Sequence, residues 1–259
     1  MKRYSGFLID LDGTMYRGSE VITEAVAFVK QLEKQSASYL FVTNNSTKSP
    51  ETVATLLKSM DVPATKEHVF TSSMAMASYL TRTKEFVRAF VIGEEGLLES
   101  LKESGMMVSE DEQPDYVVMG LDRAISYEKL AKAATYVRQG AKFFITNGDA
   151  ALPTEKGLMP GNGSLAAVVA TTTGVKPFVV GKPSPIIIEE ALKRLGTTKE
   201  ETLLIGDNYD TDILAGIHAG IDTLLVHTGV TTKEALKQKE AQPTYTCESL
   251  ADWQRSIEE

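Results

Sequence analysis

Short apolar runs of four to six residues recur along the chain, separated by longer segments in which apolar positions return with the helical period. That alternation predicts a parallel sheet covered by helices. Strands are expected at 7–11, 39–43, 203–205 and 223–227. Two helices announce their starts: Ser49-Pro50 precedes "ETVATLLKSM" and Ser184-Pro185 precedes "IIIEEALKRL". In each, a serine hydroxyl can cap the first turn, and proline follows where its missing N–H costs nothing. Gly196 ends the second helix. A separate series of strands and helices runs from Arg88 to Val180, through "RAFVIG", "DYVVMG", "AKFFITNG" and "PFVVG". It predicts a smaller α/β domain at 82–180, inserted into a larger one built from 1–81 and 181–259. Linkers near Lys84 and Gly181 would let the inserted domain move.

Composition narrows the function classes. The 259 residues are 42% hydrophobic, which suits a core-forming protein. A formal net charge of -8 without a run of Lys or Arg argues against a nucleic-acid polymer as partner. The start Met1-Lys2-Arg3-Tyr4 leads straight into a strand and lacks the apolar stretch of a signal peptide. Nothing approaches the roughly 18 apolar residues of a membrane span. Cys247 is the only cysteine, so an internal disulfide is excluded and a cysteine zinc site has no support. A cytoplasmic protein is expected.

The first strand ends in Asp10-Leu11-Asp12-Gly13-Thr14. In an open parallel sheet, ligands sit beyond the carboxyl ends of the strands. Side chains at i and i+2 share a face, so the two carboxylates can address one point. Their repulsion is relieved by a proton or by a hard cation such as Mg2+. A turn with its acids facing water accounts for the pentapeptide equally well on its own. Three other segments bring complementary groups to strand ends. "FVTNNST" offers the Thr43 hydroxyl and the Asn44 amide, neutral donors for an oxyanion. "VVGKPSP" sets Lys182 beside a helix N-terminus. "LLIGDNYDTDILAG" repeats the first strand's pattern, with Asp207 after the strand and Asp210 and Asp212 on the opening turn of a helix. At least one of these three acids is expected to be structural. The three histidines, His68, His218 and His227, have no metal-ligand spacing and are read as structural or solvated.

Taken as a set, Asp10-Leu11-Asp12-Gly13-Thr14, Thr43, Lys182, and Gly206-Asp207 with Asp212 resemble the four ordered motifs of the haloacid dehalogenase-like (HAD) hydrolase superfamily. The full layout, with "FVTNNST", "VIGEEGL", "TNGD", "PGNGSL" and "GKPSP", is similar to its NagD-like, or 4-nitrophenyl phosphatase, branch. The resemblance implies a Rossmann-like core with an inserted C2-type cap. It also implies a Mg2+-dependent phosphatase that forms an aspartyl-phosphate. Asp10 would be the nucleophile and Asp12 the general acid and base. Asp10, Asp207 and the main-chain carbonyl of Asp12 would hold Mg2+, with Asp212 behind them orienting Lys182 or a metal-bound water. Thr43, Asn44, Lys182 and Asn147 would contact substrate.

Asp12 favours a phosphate ester, because relatives that cleave carbon–halogen bonds need no acid for the leaving group. Nucleoside monophosphates, sugar phosphates and 4-nitrophenyl phosphate are the expected substrates. A homo-oligomer would form through the cap. The Gly- and Asn-rich stretches 146–153 and 158–165 are read as loops at strand-to-helix junctions, with Asn147, Asp149 and Asn162 facing substrate or docking the cap. Tyr16 and Arg17 would shape the cleft entrance. A phosphomutase and a non-catalytic phosphate or nucleotide binder on the same scaffold are the alternatives. A dinucleotide-dependent oxidoreductase is set aside because Gly13 stands alone, without a Gly-x-Gly-x-x-Gly turn.

Overall fold

The computed structural model describes residues 2–83, 88–109, 112–154 and 157–253, so Lys84, one of the two expected linkers, lies outside the described residues. The chain divides into two compact units: Met1–Thr43, Pro50–Phe70 and Lys182–Glu259 form one, and Asn44–Ser49 with Thr71–Gly181 form the other.

The first unit is built on a six-stranded sheet. Its order is Tyr245–Cys247, Asp222–Val226, Thr202–Gly206, Gly6–Ile9, Ser38–Thr43, Val69–Thr71. From Tyr245–Cys247 to Ser38–Thr43 every pairing is parallel. All four expected strands are present, each within two residues of the expected limits. Alternate residues go to opposite faces, as the pleat requires. Phe7, Ile9, Leu203, Ile205, Leu224 and Val226 join the helix Thr23–Lys34 in one core. Leu225 turns the other way and packs with Tyr209, Ile213 and Leu236. The helix Pro185–Leu195 begins as expected, with the Ser184 hydroxyl accepting from the Ile186 N–H and Gly196 closing it at φ +76°.

Strand order positions the site. After Gly6–Ile9 the chain lays its next sheet strand on one side, and it later returns to lay Thr202–Gly206 on the other. The crevice beyond the carboxyl ends of these two neighbours is therefore the topological switch point, where open α/β sheets bind ligands. Asp10 and Asp207 follow those two strands directly.

The second unit has its own parallel sheet, in the order Phe178–Val179, Lys142–Ile145, Tyr116–Met119, Arg88–Ile92, Met107–Val108. Phe90, Ile92, Val117, Met119, Phe143 and Ile145 fill its core with residues of the helices Tyr127–Arg138 and Asn162–Thr173. The helix Ser72–Thr83 groups with this unit, although a boundary between 81 and 82 leaves it with the first. It packs on the helix Glu95–Glu103, and the Ser72 and Ser73 hydroxyls donate to the carbonyls of Asn44 and Ser46. One expectation needs correcting. The stretch 146–153 leads not into a helix but into an antiparallel hairpin, Ala151–Thr154 with Gly157–Pro160. Among the described residues no helix is long and apolar enough to cross a membrane.

Candidate active site

Lys182 organises the first unit's carboxyl edge. It is 2% exposed, and its ammonium donates to Asp10 Oδ1 at 2.5 Å, Asp212 Oδ1 at 2.7 Å and the Val42 carbonyl at 3.0 Å. An ammonium has three protons, and these contacts match that number. The group is thus fixed between two strand ends and the helical turn Tyr209–Ile213. Burial opposes its charge, but the two carboxylates outweigh burial and hold Lys182 protonated.

Asp10, Asp207 and Asp212 each offer an oxygen within 4.8 Å of the others, and all three are buried. Asp212 uses both of its oxygens, one on Lys182 and one accepting from the Asn208 N–H at 3.1 Å. Asp207 Oδ2 accepts from the Val230 N–H at 2.7 Å. The Thr14 hydroxyl, 1% exposed, lies 3.5 Å from Asp10 Oδ2 and 3.4 Å from Asp207 Oδ1, joining the two. Gly13 allows this closeness. Its φ is +87°, and a Cβ there would stand 2.4 Å from the Asp207 carboxylate carbon.

The electrostatics fit a cation. Three carboxylates against one ammonium leave two formal negative charges in a buried space. Burial, and then the charge of Asp212, push Asp207 up to about 6. The same two causes hold Asp10 above the ordinary carboxylate range despite Lys182. A hard divalent ion, with Mg2+ one such ion, accepts carboxylate oxygens and would oppose both shifts, so the donor set fits a cation of that class.

Asp12 stands apart from this cluster: it is exposed, and its carboxylate hydrogen-bonds the buried Tyr16 hydroxyl. Asp212 is drawn in among the buried acids. Asp210 is the structural member of its trio, exposed and paired with Lys239 at 2.6 Å. Thr43 ends its strand and is 5% exposed. The next residue, Asn44, belongs to the second unit, where its carbonyl accepts from Asn147 Nδ2 at 2.9 Å and its own Nδ2 donates to Asp149 at 3.3 Å. Asn162 is buried and donates to the carbonyls of Met119 at 3.2 Å and Asn147 at 2.9 Å. These amides are thus engaged within their own unit. Each histidine ring nitrogen Nδ1 also has a local partner: Thr65 for His68, the Pro183 carbonyl for His218 and the Thr231 carbonyl for His227.

Sequence reasoning missed the Val42 carbonyl, the Thr14 bridge and the whole segment 228–231. Only Thr14 carried a signal, as the last letter of the first motif. The Val42 carbonyl and the Val230 and Thr231 N–H groups are main-chain groups, which nearly every residue type supplies, and the hydroxyls of Thr228 and Thr231 stand in no motif.

A family model described as haloacid dehalogenase-like hydrolase matches residues 7–107, and one described as HAD-hydrolase-like matches 179–253. The chain is 53% identical over 253 residues to the 5'-nucleotidase YutF of Bacillus subtilis (strain 168), covering 98% of each. It is 47% identical over 250 residues to the acid sugar phosphatase of Staphylococcus haemolyticus, covering 96% of this chain and 95% of that one. Among solved structures, a mutant of the thermostable p-nitrophenylphosphatase of Bacillus stearothermophilus superposes with a TM-score of 0.90 at 59% identity, over 98% of this chain and 99% of that one. NagD of E. coli K-12 does so with a TM-score of 0.91 at 32% identity, over 97% and 98%.

Proposed function

The chain belongs to the haloacid dehalogenase-like hydrolases and is a phosphatase, and on that premise we propose that it is a cytoplasmic enzyme that cleaves small phosphate monoesters through a phosphorylated Asp10. One observation carries the reading: two buried strand-end aspartates converge at the switch point with Lys182 paired to the first, while Asp12 is exposed and hydrogen-bonded to Tyr16. A carboxylate that attacks and a carboxyl group that manages protons need different surroundings, and here they have them.

In the first step an Asp10 oxygen attacks phosphorus, the bond to the leaving oxygen breaks, and Asp12 gives that oxygen its proton. Water then attacks the phosphorus of the aspartyl-phosphate and Asp12 takes its proton. The bond to Asp10 breaks, releasing inorganic phosphate and restoring both carboxyl groups. Lys182 offsets the charge of Asp10 and, with Thr43, meets the phosphoryl oxygens. Asp10, Asp207 and the main-chain carbonyl of Asp12 would hold Mg2+, with Asp212 keeping Lys182 in place. Bound Mg2+ would neutralise charge on the phosphoryl group and orient the ester.

Asn44 and Asn147 complete the proposed substrate contacts, and the inserted segment 82–180 acts as the cap that selects among substrates. Nucleoside monophosphates and sugar phosphates are the leading classes, supported by relatives that are named as a 5'-nucleotidase and an acid sugar phosphatase. The test is hydrolysis of 4-nitrophenyl phosphate with Mg2+, with EDTA, and by Asp10→Asn. Loss of turnover in the last two supports the reading, and undiminished turnover in Asp10→Asn overturns the covalent route.

A further inference from the structure

The segment 228–231, Thr-Gly-Val-Thr, touches both loops that carry the proposed cation ligands. On one side the Val230 N–H donates to Asp207 Oδ2 at 2.7 Å, and the Thr231 N–H donates to the Asp207 carbonyl at 3.1 Å. On the other side the Thr228 hydroxyl donates to the Gly13 carbonyl at 2.6 Å. Its ends are anchored in turn. Arg17 Nε donates to the Thr228 carbonyl, the Thr231 hydroxyl accepts from the Tyr209 N–H at 2.8 Å, and the Thr231 carbonyl meets His227 Nδ1 at 3.0 Å. Between the two contacts lies Gly229, where a Cβ would fall 2.0 Å from Asp207 Oδ2, inside the carboxylate's own volume. Gly13 presses on the same carboxylate from the loop that follows Asp10. Asp207 is therefore boxed between two glycines, with one oxygen taken by a main-chain donor.

From this geometry we infer that 228–231 is a positioning clamp that sets the distance between the Asp10 loop and Asp207, and thereby the affinity for the divalent cation. The inference rests on the reading of Asp10 and Asp207 as cation ligands. Groups that hold metal ligands from behind typically set about 10- to 100-fold of the affinity. The Val230 N–H fixes Oδ2, so Oδ1, 3.4 Å from the Thr14 hydroxyl, is the oxygen that Asp207 would turn to an ion. The Thr228 hydroxyl keeps the nucleophile loop from drifting away from it.

The experiment is a calorimetric Mg2+ titration of the full chain without substrate, with circular dichroism to verify folding. Gly229→Ala should weaken Mg2+ binding about 10- to 100-fold. Thr228→Val, close in shape but lacking the donor, should weaken it by less, and Thr228→Ser should restore it. Turnover of the weakened variants should recover as Mg2+ is raised, a change in the Mg2+ requirement rather than in kcat. Wild-type Mg2+ affinity in a folded Gly229→Ala overturns the clamp. Should Gly229→Ala not fold, the Thr228 pair decides: equal affinities in the Val and Ser variants overturn it. Asp207→Asn separates the two levels. If that variant also binds Mg2+ as the wild type does, the ligand assignment itself fails. If it alone is weakened, the assignment stands and the clamp falls.

Discussion

The two units end their parallel sheets in opposite chemistry. At the carboxyl edge of the first, the strands Gly6–Ile9 and Thr202–Gly206 run into Asp10 and Asp207, and Lys182 and Asp212 close a buried charged cluster around them. At the corresponding edge of the second, Tyr116–Met119 and Lys142–Ile145 run into Gly120 and Thr146, and the buried side chain that gathers them is the amide of Asn162. One edge stores charge and the other satisfies backbone carbonyls. The architecture supplies an edge in both cases, and the residues placed there decide whether it does chemistry or holds loops together. The charged edge is costly to keep, since like carboxylates repel and each resists burial.

The largest expected effect separates these roles. Asp10→Asn should lower kcat for 4-nitrophenyl phosphate by about 10^4-fold or more, the scale seen when a nucleophile is removed. Its thermal midpoint in EDTA should not fall, because one buried charge leaves a crowded cluster. A midpoint well below that of the wild type would mean that the charged edge is also a structural one, and the contrast would collapse.

Next comes Lys182→Met, which leaves Asp10 and Asp212 buried without their shared counter-charge. Breaking a buried pair costs about 3–5 kcal/mol. Urea unfolding in EDTA should show that loss near pH 7. It should shrink at lower pH, where protonated carboxyl groups no longer repel, and also shrink on adding Mg2+. A loss that does not respond to either would argue for packing rather than charge.

Asn162→Leu probes the other edge. It removes the donor from the carbonyls of Met119 and Asn147 inside a buried space, and an unsatisfied buried polar group costs about 1–3 kcal/mol. Among the described residues Asn162 Oδ1 has no hydrogen-bond partner, so part of the polar cost is carried by the wild type. Stability measured by urea should fall by that amount, with turnover per folded molecule dropping far less than in Asp10→Asn. A collapse of turnover at unchanged stability would turn the amide edge into a second functional centre.

The charged edge was readable in sequence, and much of the amide edge was not. Asp10, Lys182 and Asp207 stand where an apolar run stops, and a change of period from strand to helix is visible in the letters alone. Ser184-Pro185 and Gly196 fixed a helix to the residue for the same local reason. Asp210 and Asp212 show the limit. Both lie on one turn, but the π-helical turn Tyr209–Ile213 buries the second and leaves the first in solvent with Lys239. The antiparallel pair Ala151–Thr154 with Gly157–Pro160 has no buried face in its second strand, so no alternation announces it. The clamp at 228–231 works mainly through N–H and carbonyl groups, and Gly229 matters for an absent side chain. Asn44 follows an apolar run and Asn147 stands in a Gly- and Asn-rich stretch, and both are proposed substrate contacts; the hydrogen bonds that hold them were not legible. Their partners, distant in sequence, were set by the tertiary fold.

The smallest effect tests whether charge at a sheet edge is enough to make a site. The amino edge of the first sheet is charged as well: Asp222 opens its strand and meets Lys2 Nζ at 2.6 Å and the Tyr4 hydroxyl at 2.9 Å. Partial burial pushes the Asp222 carboxyl up, but the hydrogen bonds from Lys2 and Tyr4 and the charge of Lys2 prevail and hold it below the ordinary range. The unfolded chain thus takes up this proton at a higher pH than the folded one. The stabilisation is present above the ordinary aspartate value of about 3.9 and is lost as pH falls through the lower folded value. Lys2 is half exposed, so the ion pair is worth less than about 1 kcal/mol, and salt screens it further. Urea titrations of wild type and Asp222→Asn should therefore differ slightly at pH 7 and converge below pH 4, with no change in Mg2+ affinity or turnover. A difference that widens on acidification would reverse the sign argued here. A change in Mg2+ affinity would mean that the two edges of one sheet are coupled, and that burial and convergence around Lys182 are not what sets the active edge apart.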